Sequence, residues 1–294
     1  MRRCVRCGGT AVDDDWRCEQ CGNSPLIHEN VLLFAPEVAF ESDAFDSQAF
    51  GSLADLEAGS FWFRARNALI RMMLKRYFAE LRSFLELGCG TGFILATVRE
   101  AFPKAAIWGT EMLAAGLPWA KARIPSASLI QGDGRNLPFI EEFDVIGAFD
   151  VLEHVQEDVA VLGEIFRSVR RGGGLILTVP QHPWLWSRAD EFAHHKRRYS
   201  RRELVEKVTL AGFKILRLTS FVSLLMPVLV TSRLQSRLVR KARDPWVEFQ
   251  LPPIIDRTFE RVMSVERWLI GHGISFGVGG SLLLVARKPL GVSL

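Results

Sequence analysis

The pattern of apolar and polar residues predicts an alternating series of strands and helices in the middle of the chain. Short apolar runs, typical of buried parallel strands, predict strands at 83–87, 106–110, 128–131, 143–149 and 175–179. Segments of helical periodicity lie beside these runs, at 93–102, 113–122 and 159–170. Such alternation is typical of an α/β fold, in which helices cover both faces of a parallel sheet.

The flanks of this alternating part indicate a chain of three units. Residues 1–24 are a cysteine-containing unit, residues 25–59 lack clean periodicity and are interpreted as a surface connector, and residues 60–294 form the main domain. After Ser200 the pattern predicts, in order, a helix at 201–211, a strand at 213–218, an insertion at 219–272 and a strand at 281–286.

Four of the five cysteines form two CxxC pairs near the start of the chain, Cys4 with Cys7 and Cys18 with Cys21. Zn²⁺ prefers four tetrahedral sulfur or nitrogen ligands, and each CxxC turn places two thiolates on one side of the ion. A unit of about 20 residues cannot bury a hydrophobic core, so bound metal would supply most of its folding energy. Redox-active thiols are the alternative, but neither pair lies in a βαβ context. We therefore predict a structural zinc ribbon without a catalytic role.

Composition and charge are typical of a globular protein with one basic segment. Of the 294 residues, 48% are hydrophobic and 24% are charged, which excludes a disordered or collagen-like chain. The net charge is +4, but residues 188–243 contain 14 Lys and Arg against 4 Asp and Glu, so an anionic partner is expected near them. The first residues lack the apolar run of a signal peptide, and the longest uncharged run is shorter than the ~20 residues of a spanning helix. We therefore expect a cytoplasmic protein.

A glycine-rich sequence follows the first predicted strand, with Gly88, Gly90 and Gly92 just after Glu86. Ligands bind at the carboxyl ends of strands in open α/β sheets, and glycine lets the backbone approach a ligand closely. A dinucleotide fingerprint requires glycine where Phe93 stands, and the sequence lacks the Lys-Ser/Thr of a P-loop. Glu86 would repel a pyrophosphate and attract an ammonium group. The loop therefore favours a cationic nucleoside that carries an amino acid.

This arrangement resembles motif I of the class I S-adenosylmethionine (SAM)-dependent methyltransferases, and later segments resemble the family in order as far as residue 290. The resemblance implies a Rossmann-like, seven-stranded class I methyltransferase fold with SAM as cofactor. Its last two strands would form a hairpin, and the final strand would be antiparallel. The implied SAM-binding residues are Glu86, Gly88, Gly90, Gly92, Glu111, Met112, Asp133, Gly134 and Asp150. In the family, residues at these positions bind the amino group (Glu86), both ribose hydroxyls (Glu111) and the adenine amino group (Asp133).

Within the superfamily, the chain is similar to bacterial methyltransferases of types 11 and 12 with unassigned substrates. The similarity lies in residues 61–67, 190–199 and 276–282. The aromatic residues of the first segment fit either core packing or a lid over a ligand. Cys89, inside the glycine loop, has no neighbouring base and is interpreted as a packing residue.

Three residues are candidates for the catalytic, acceptor-facing side: His154, His195 and Tyr199. His154 follows the fourth predicted strand, and its ordinary pKa of ~6.5 suits proton removal near neutral pH. A structural histidine bound to the backbone is the alternative. His195 and Tyr199 belong to a loop whose basic residues also fit a solvated surface. A base is needed only for some acceptors, because the sulfonium of SAM is already a strong electrophile, so these residues do not identify the acceptor.

The insertion at 219–272 combines apolar and basic residues at helical spacing. Leu234 and Leu238 are four residues apart, as are Arg233 and Arg237, so a helix here would carry adjacent apolar and basic rows. Such a helix either packs on its own domain or lies on an anionic membrane surface. The second alternative would place the protein peripherally at the inner face of the membrane.

The predicted function is transfer of a methyl group from SAM to a small-molecule, lipid-linked or saccharide-like acceptor. One alternative is an rRNA base methyltransferase that binds RNA through the ribbon and the basic segment. Nucleic acid is the weaker expectation, because the sequence has no NPPY-like motif and its arginines alternate with leucines rather than with stacking aromatics. A second alternative is a non-catalytic SAM-binding scaffold, against which the intact Glu86, glycine and Glu111 set argues.

Overall fold

A single mixed sheet forms the centre of the molecule in the computed structural model, which describes residues 1–40, 49–238 and 250–291. The strands of the described part are β1 (Leu26–His28), β2 (Val31–Leu33), β3 (Ser83–Leu87), β4 (Ala106–Glu111), β5 (Ser128–Gln131), β6 (Phe143–Phe149), β7 (Val169–Pro180), β8 (Lys214–Phe221) and β9 (Ser281–Arg287). Their order across the sheet is β1-β2-β5-β4-β3-β6-β7-β9-β8. Strands β2 to β7 are parallel to one another, whereas β1 and β9 are antiparallel to their neighbours.

The seven strands from β3 to β9 form the predicted Rossmann-like sheet. Strand β9 pairs with both β7 and β8 and is antiparallel to both, which confirms the predicted pairing of the last two strands. The strand order reverses at β3, because β4 and β5 lie on one side of it and β6 and β7 on the other. Open α/β sheets bind ligands at such a switch point, at the carboxyl ends of the strands. The glycine loop after β3 lies at this position.

A β-hairpin with a two-residue loop, within the predicted connector, extends the sheet. Strands β1 and β2 are antiparallel, and β2 adds to β5 in parallel. Glu29 and Asn30 join them with φ values of 47° and 64°, as a type I′ turn requires. Periodicity does not predict these strands, because three residues are too few to show alternation. Leu26 and Ile27 of β1 are 59% and 73% exposed.

Helices of the described residues cover the sheet. They are α1 (Ala49–Glu57), α2 (Phe61–Tyr77), α3 (Phe93–Ala101), α4 (Leu117–Arg123), α5 (Asp158–Ser168), α6 (Arg188–Phe192), α7 (Arg201–Leu210), α8 (Met226–Leu238) and α9 (Pro253–Gly271). The helix predicted at 159–170 extends too far, because Val169 already pairs with Phe143 at the start of β7. The helix predicted at 113–122 begins at Leu117, after a 3₁₀ turn, and Pro118 occupies its first turn, where a missing N–H costs no helical bond.

Apolar side chains fill both faces of the sheet. On one face α2, α3 and α9 contribute buried residues such as Ile70, Leu95 and Met263. On the other face α5 and α7 contribute residues such as Ile165 and Leu204. Two hydrophobic layers around one sheet are the arrangement that continuous apolar strands predict.

The predicted insertion contains α8 and α9. Helix α9 packs against α2, and its buried Glu266 accepts hydrogen bonds from the backbone N–H groups of Ser223 and Leu224, each at 2.7 Å. The basic and apolar rows predicted for this region continue beyond Arg233 into residues whose side chains, or whole positions, lie outside the described part: Leu234, Arg237, Leu238, Arg240, Lys241 and Arg243. Among the described helices, none is both long and apolar enough to span a bilayer.

The outer edge of β8 is partly covered by the segment that precedes β9. Phe276 forms an antiparallel bridge with Ser220, and the Arg217 side chain donates to the carbonyl of Gly273 at 3.0 Å. The Arg201 side chain donates to the carbonyl of Phe276 at 2.9 Å. These bonds hold residues 273–276 along the strand.

Candidate functional site

The glycine loop connects β3 to α3 in a backbone conformation that requires glycine. Gly88, Gly90 and Gly92 all have positive φ, at 68°, 49° and 76°. A Cβ atom at Gly88 would also lie 2.6 Å from a methyl carbon of Val151, a distance too short for a side chain to be accommodated there. The loop therefore brings backbone amides and the start of α3 to the carboxyl edge of the sheet, where an anionic or polar ligand group can approach them.

Glu86 lies in β3 and is buried beneath this loop. Its Oε2 atom has no hydrogen-bond partner among the described residues. Burial raises the pKa of Glu86 well above its ordinary value; nearby Arg66 opposes that shift, and Glu57 and Glu111 add to it. A buried carboxylate without a partner is costly, so this atom is suited to bind a cationic hydrogen-bond donor.

Glu111 is the last residue of β4 and joins the two neighbouring loops. Its carboxylate accepts hydrogen bonds from the backbone N–H groups of Gly90 and Met112, both at 2.9 Å, and of Leu113 at 3.2 Å. Burial raises the pKa of Glu111, and these three bonds oppose the shift. Glu111 therefore fixes the glycine loop relative to the end of β4.

Asp133 and Gly134 lie in the turn after β5. The carboxylate of Asp133 accepts bonds from the Arg135 guanidinium, the shortest at 2.7 Å, and Arg135 also contacts Glu157 at 3.0 Å. A Cβ atom at Gly134 would lie 3.1 Å from the Leu87 side chain, so this turn packs against the end of β3. The predicted adenine-side residues are thus on the same edge of the sheet as the glycine loop.

The N-terminal flank covers this edge, which the sequence did not predict. Gln131 exchanges hydrogen bonds with the backbone of Ala35, at 3.1 and 2.8 Å, and holds residues 34–39 beside β5. Buried Phe50 of α1 lies so close to the glycine loop that a Cβ atom at Gly90 would be 3.8 Å from its ring. No periodic signal in the sequence marks these contacts, because they join segments far apart in the chain.

Glu57, at the end of α1, ties that helix to the glycine loop. Both of its carboxylate oxygens accept the Thr91 hydroxyl at 2.7 Å, and one also accepts Arg123 at 2.7 Å. The three side chains form a buried or half-buried network beside Glu86. The helix α1 is therefore held over the loop by charged hydrogen bonds as well as by Phe50.

Asp150, directly after β6, forms an ion pair with Arg66 of α2 at 2.6 Å. The Arg66 guanidinium also lies 4.6 Å above the Trp62 ring. Phe63 is buried in the domain, whereas Phe61 and Trp62 are half-buried. The burial of Phe63 fits the core-packing alternative, and Trp62 supports the Arg66 side chain at the site.

The three predicted acceptor-side residues occupy different environments. His154 and His195 lie together, with ring centroids 4.8 Å apart. Tyr199 is fully buried in the core, and its hydroxyl donates to Asp158 at 2.6 Å. Burial raises the pKa of Tyr199 strongly, and the hydrogen bond and charge of Asp158 add to the shift. The structure therefore favours a structural role for Tyr199 over the predicted contact with an acceptor.

Two acidic residues near these histidines were not predicted as site residues. Glu153 precedes His154 and is fully buried; burial raises its pKa well above the ordinary value, and the charge of Asp150 adds to the shift. Asp190 is also buried and accepts a bond from His195 at 2.9 Å and one from Arg198 at 2.7 Å. Burial alone would raise the pKa of Asp190, but His195 and Arg198 overcome that effect and lower it.

The four N-terminal cysteines converge on one point. The Sγ atoms of Cys4 and Cys21 are 3.7 Å apart, those of Cys7 and Cys18 are 3.6 Å apart, and all four lie within 4.8 Å of one another. Four thiolates around a tetrahedral Zn²⁺, each about 2.3 Å from the ion, are about 3.8 Å apart. The donor set and its spacing therefore fit the predicted structural zinc.

The cysteine unit is docked on the loop before β6. The side chain of Asn136 donates to the carbonyl of Val5 at 2.8 Å, and the N–H of Arg3 donates to the carbonyl of Pro138 at 3.0 Å. Trp16 packs edge-on against Phe139, with ring centroids 5.8 Å apart. The ribbon thus contacts the same loop that carries Asp133.

Residues 85–177, which include the glycine loop, Glu111 and Asp150, match a protein family described as a methyltransferase domain. The chain is 25% identical over 167 residues to a probable S-adenosylmethionine-dependent methyltransferase of Mycolicibacterium smegmatis, which covers 56% of this chain and 63% of that protein. It is 28% identical over 138 residues to the trans-aconitate 2-methyltransferase of an Azoarcus species, with coverages of 47% and 51%. The chain thus spans between half and two thirds of the length of these curated relatives.

One similar solved structure aligns with a larger part of this chain. It comes from the complex between the Trm112 methyltransferase activator of Haloferax volcanii and a candidate methyltransferase. The TM-score is 0.54 at 20% identity, over 84% of this chain and 96% of that one. At this identity the likeness concerns the fold alone.

Proposed function

We propose that this chain, which has the class I methyltransferase fold, is a SAM-dependent methyltransferase. The observation that carries the proposal is the buried Glu86, whose Oε2 atom lacks a partner among the described residues beside the glycine loop. An ammonium group bound there would compensate a buried charge and supply the missing hydrogen bond. SAM carries such a group and supplies an electrophilic methyl group when it is bound.

The residues around the loop would hold the other parts of SAM. Glu111 would accept the ribose hydroxyls, the turn at Asp133 and Gly134 would face the adenine, and Asp150 would lie under the methionine half. Met112 would line the pocket between ribose and adenine. These roles follow from the family resemblance, and they are supported by the position of all these residues at one edge of the sheet.

The protein's own contribution to methyl transfer would be positioning and exclusion of water. Helix α1 covers the glycine loop through Phe50 and the Glu57 network, so that bound SAM would be shielded from bulk solvent. The ion pair of Arg66 with Asp150 fixes the backbone directly after β6, where the acceptor would approach SAM. Holding donor and acceptor in line accounts for most of the rate gain that such a reaction needs.

The proposed acceptor is a small molecule, of which lipid-linked and saccharide-like compounds are candidates. A relative with a named acceptor methylates trans-aconitate, a small metabolite. Incubation of a small-molecule extract with methyl-labelled SAM, followed by chromatography, would identify the acceptor.

Titration calorimetry tests cofactor binding directly. We expect SAM and S-adenosylhomocysteine to bind, and NAD and ATP to fail to bind, because the loop has Phe93 in place of the third glycine of a dinucleotide site and lacks the Lys-Ser/Thr of a P-loop. Absence of SAM binding, or equal binding of all four ligands, would contradict the proposal.

The affinity for SAM is expected to rise with pH. Burial raises the pKa of Glu86, whereas a bound ammonium group favours the ionised form of this carboxylate. At pH values below the raised pKa, the free protein carries a proton at Glu86. Binding then releases a proton, so affinity should increase up to about tenfold per pH unit until the pH exceeds that raised pKa. Dissociation constants between acid and mildly alkaline pH measure this effect. Glu86→Gln should bind SAM more weakly and with a flatter pH profile; a wild-type affinity independent of pH would argue against it.

We further propose a peripheral membrane contact through the exposed face of α9. Ile254, Val265 and Trp268 are 80%, 53% and 59% exposed there, beside the exposed Arg257 and Arg261. Apolar and basic side chains on one helix face are typical of helices that lie at an anionic interface.

Replacing Trp268 with serine is expected to weaken binding to anionic vesicles about fivefold or more, because an interfacial tryptophan contributes roughly 1 kcal/mol or more of apolar burial. Vesicle flotation at low salt measures the bound fraction. Trp184→Ser, which alters another exposed tryptophan outside α9, is the matched control. Failure of the wild-type protein to bind anionic vesicles at low salt would refute the proposed membrane contact.

A further inference from the structure

A cluster of three potential metal ligands lies outside the cofactor loop. Glu153 and His154 belong to the 3₁₀ turn after β6, and His195 comes from the loop after α6. One ligand atom from each of the three lies within 4.8 Å of the others. The His195 Nε2 atom is 3.9 Å from the Glu153 Oε1 atom. Both oxygens of the fully buried Glu153 lack a hydrogen-bond partner among the described residues.

The two arginines nearest the cluster form ion pairs with carboxylates other than Glu153. Arg66 forms its ion pair with Asp150 at 2.6 Å, and Arg198 forms its ion pair with Asp190 at 2.7 Å. Each arginine is therefore engaged by another carboxylate. Both oxygens of Glu153 are therefore available to a metal ion, which would stabilise the ionised carboxylate in this buried position.

Asp190 orients His195 toward the cluster. The Nδ1 atom of His195 lies 2.9 Å from Asp190 Oδ1, and the backbone N–H of Ser187 donates to Asp190 Oδ2 at 2.8 Å. A carboxylate at Nδ1 favours the tautomer that keeps the proton there, which leaves the lone pair of Nε2, 3.9 Å from Glu153 Oε1, available to a metal ion. Metal-binding histidines almost always have such a carboxylate or carbonyl at their second nitrogen.

We propose that Glu153, His154 and His195 bind a divalent first-row metal ion such as Zn²⁺. Two imidazoles and one carboxylate are a common ligand set for ions that keep a position open for substrate. Ligand atoms around a tetrahedral Zn²⁺ are about 3.4 Å apart, so the His195–Glu153 pair must close by about 0.5 Å. The His195 side chain is partly exposed, which gives the ion a route of entry.

The role of the ion rests on the proposed function, whereas its binding does not. An acceptor hydroxyl bound to the open position would lose its proton to solvent more readily, because the ion stabilises the resulting oxyanion. The oxygen electron pair would then form the O–CH₃ bond while the S–CH₃ bond of SAM breaks and leaves S-adenosylhomocysteine. The site therefore indicates an oxygen acceptor.

The test counts bound Zn²⁺ per full-length chain by mass spectrometry after equilibration at equal free zinc. We expect the wild type to hold one ion more than Glu153→Gln and one more than His195→Gln. His272→Gln, which changes an exposed histidine directly after α9, should match the wild type. In the Co²⁺-substituted protein, the difference spectrum between the wild type and Glu153→Gln should lack intense sulfur charge-transfer bands, because the lost ion has no thiolate ligands. Asp190→Asn should lower the affinity about 10- to 100-fold.

Equal ion counts in the wild type and both ligand variants would overturn the proposal, as would thiolate bands in the difference spectrum. Thermal melting establishes that each variant is folded; if Glu153→Gln fails to fold, the partly exposed His195→Gln decides the outcome. A parallel SAM titration of the wild type separates the metal site from the methyltransferase proposal. Failure of the wild type to bind SAM would refute the proposed function but would not change the ion count.

Discussion

Replacing Glu111 with alanine is expected to weaken SAM binding at least about 100-fold. The proposed ribose bonds of this carboxylate are charge-assisted, and two such bonds at about 1.5–3 kcal/mol each amount to about 3 kcal/mol or more, which is about 100-fold in affinity. The substitution also removes the acceptor of the backbone N–H groups of Gly90, Met112 and Leu113, which loosens the glycine loop. Titration calorimetry with SAM measures the change.

Two further variants make the result specific to the Glu111 site. Glu111→Gln keeps one carbonyl acceptor and should lose less affinity than Glu111→Ala. Glu100→Ala, at an exposed position of α3, should bind SAM as the wild type does. An unchanged dissociation constant for Glu111→Ala in a folded protein would refute both the assigned role of Glu111 and the proposed site.

Removing the ribbon metal is expected to unfold residues 1–24 while the sheet stays folded. Structural Zn²⁺ contributes about 10–16 kcal/mol in zinc-finger peptides, and a unit of this size has no core to replace it. In Cys18→Ser, amide hydrogens near the four cysteines should lose most of their protection in hydrogen exchange. Protection should also fall around Asn136 and Pro138, because these residues bond to the ribbon.

The fifth cysteine provides the control for this experiment. Cys89 is buried inside the glycine loop, away from the metal ligands, so Cys89→Ser should keep the ribbon protected and its zinc bound. Full protection of residues 1–24 in metal-free Cys18→Ser would show that packing of Trp16 against Phe139, rather than metal, holds the unit.

The sequence predicted the parts of the fold that depend on local pattern. Strands β3, β5 and β6 have the predicted limits, because each is an apolar run bounded by glycine or polar residues. The cluster of four cysteines was also predictable, since CxxC spacing brings two sulfurs together within a single turn. The position of the candidate site was predictable as well, because the glycine loop is a local motif that directly follows a predicted strand.

Features that depend on distant contacts were not predictable. Phe50 lies against Gly90, some 40 residues on in the chain, and Glu57 binds Thr91 and Arg123, so neither contact leaves a local pattern. The pairing of His195 with Asp190 is short in sequence, but its significance depends on the buried Glu153, which belongs to another loop. Tyr199 shows the converse, because a polar aromatic residue in a basic loop is inserted fully into the core.

The ends of the sheet have a consequence for association between molecules. A long unpaired strand would be a template for edge-to-edge aggregation, which proteins avoid by shortening or covering such strands. Here β1 offers three residues at one end, and the segment 273–276 lies along β8 at the other. We therefore expect deletion of the hairpin at residues 26–33, which uncovers β5, to reduce solubility more than it reduces cofactor affinity.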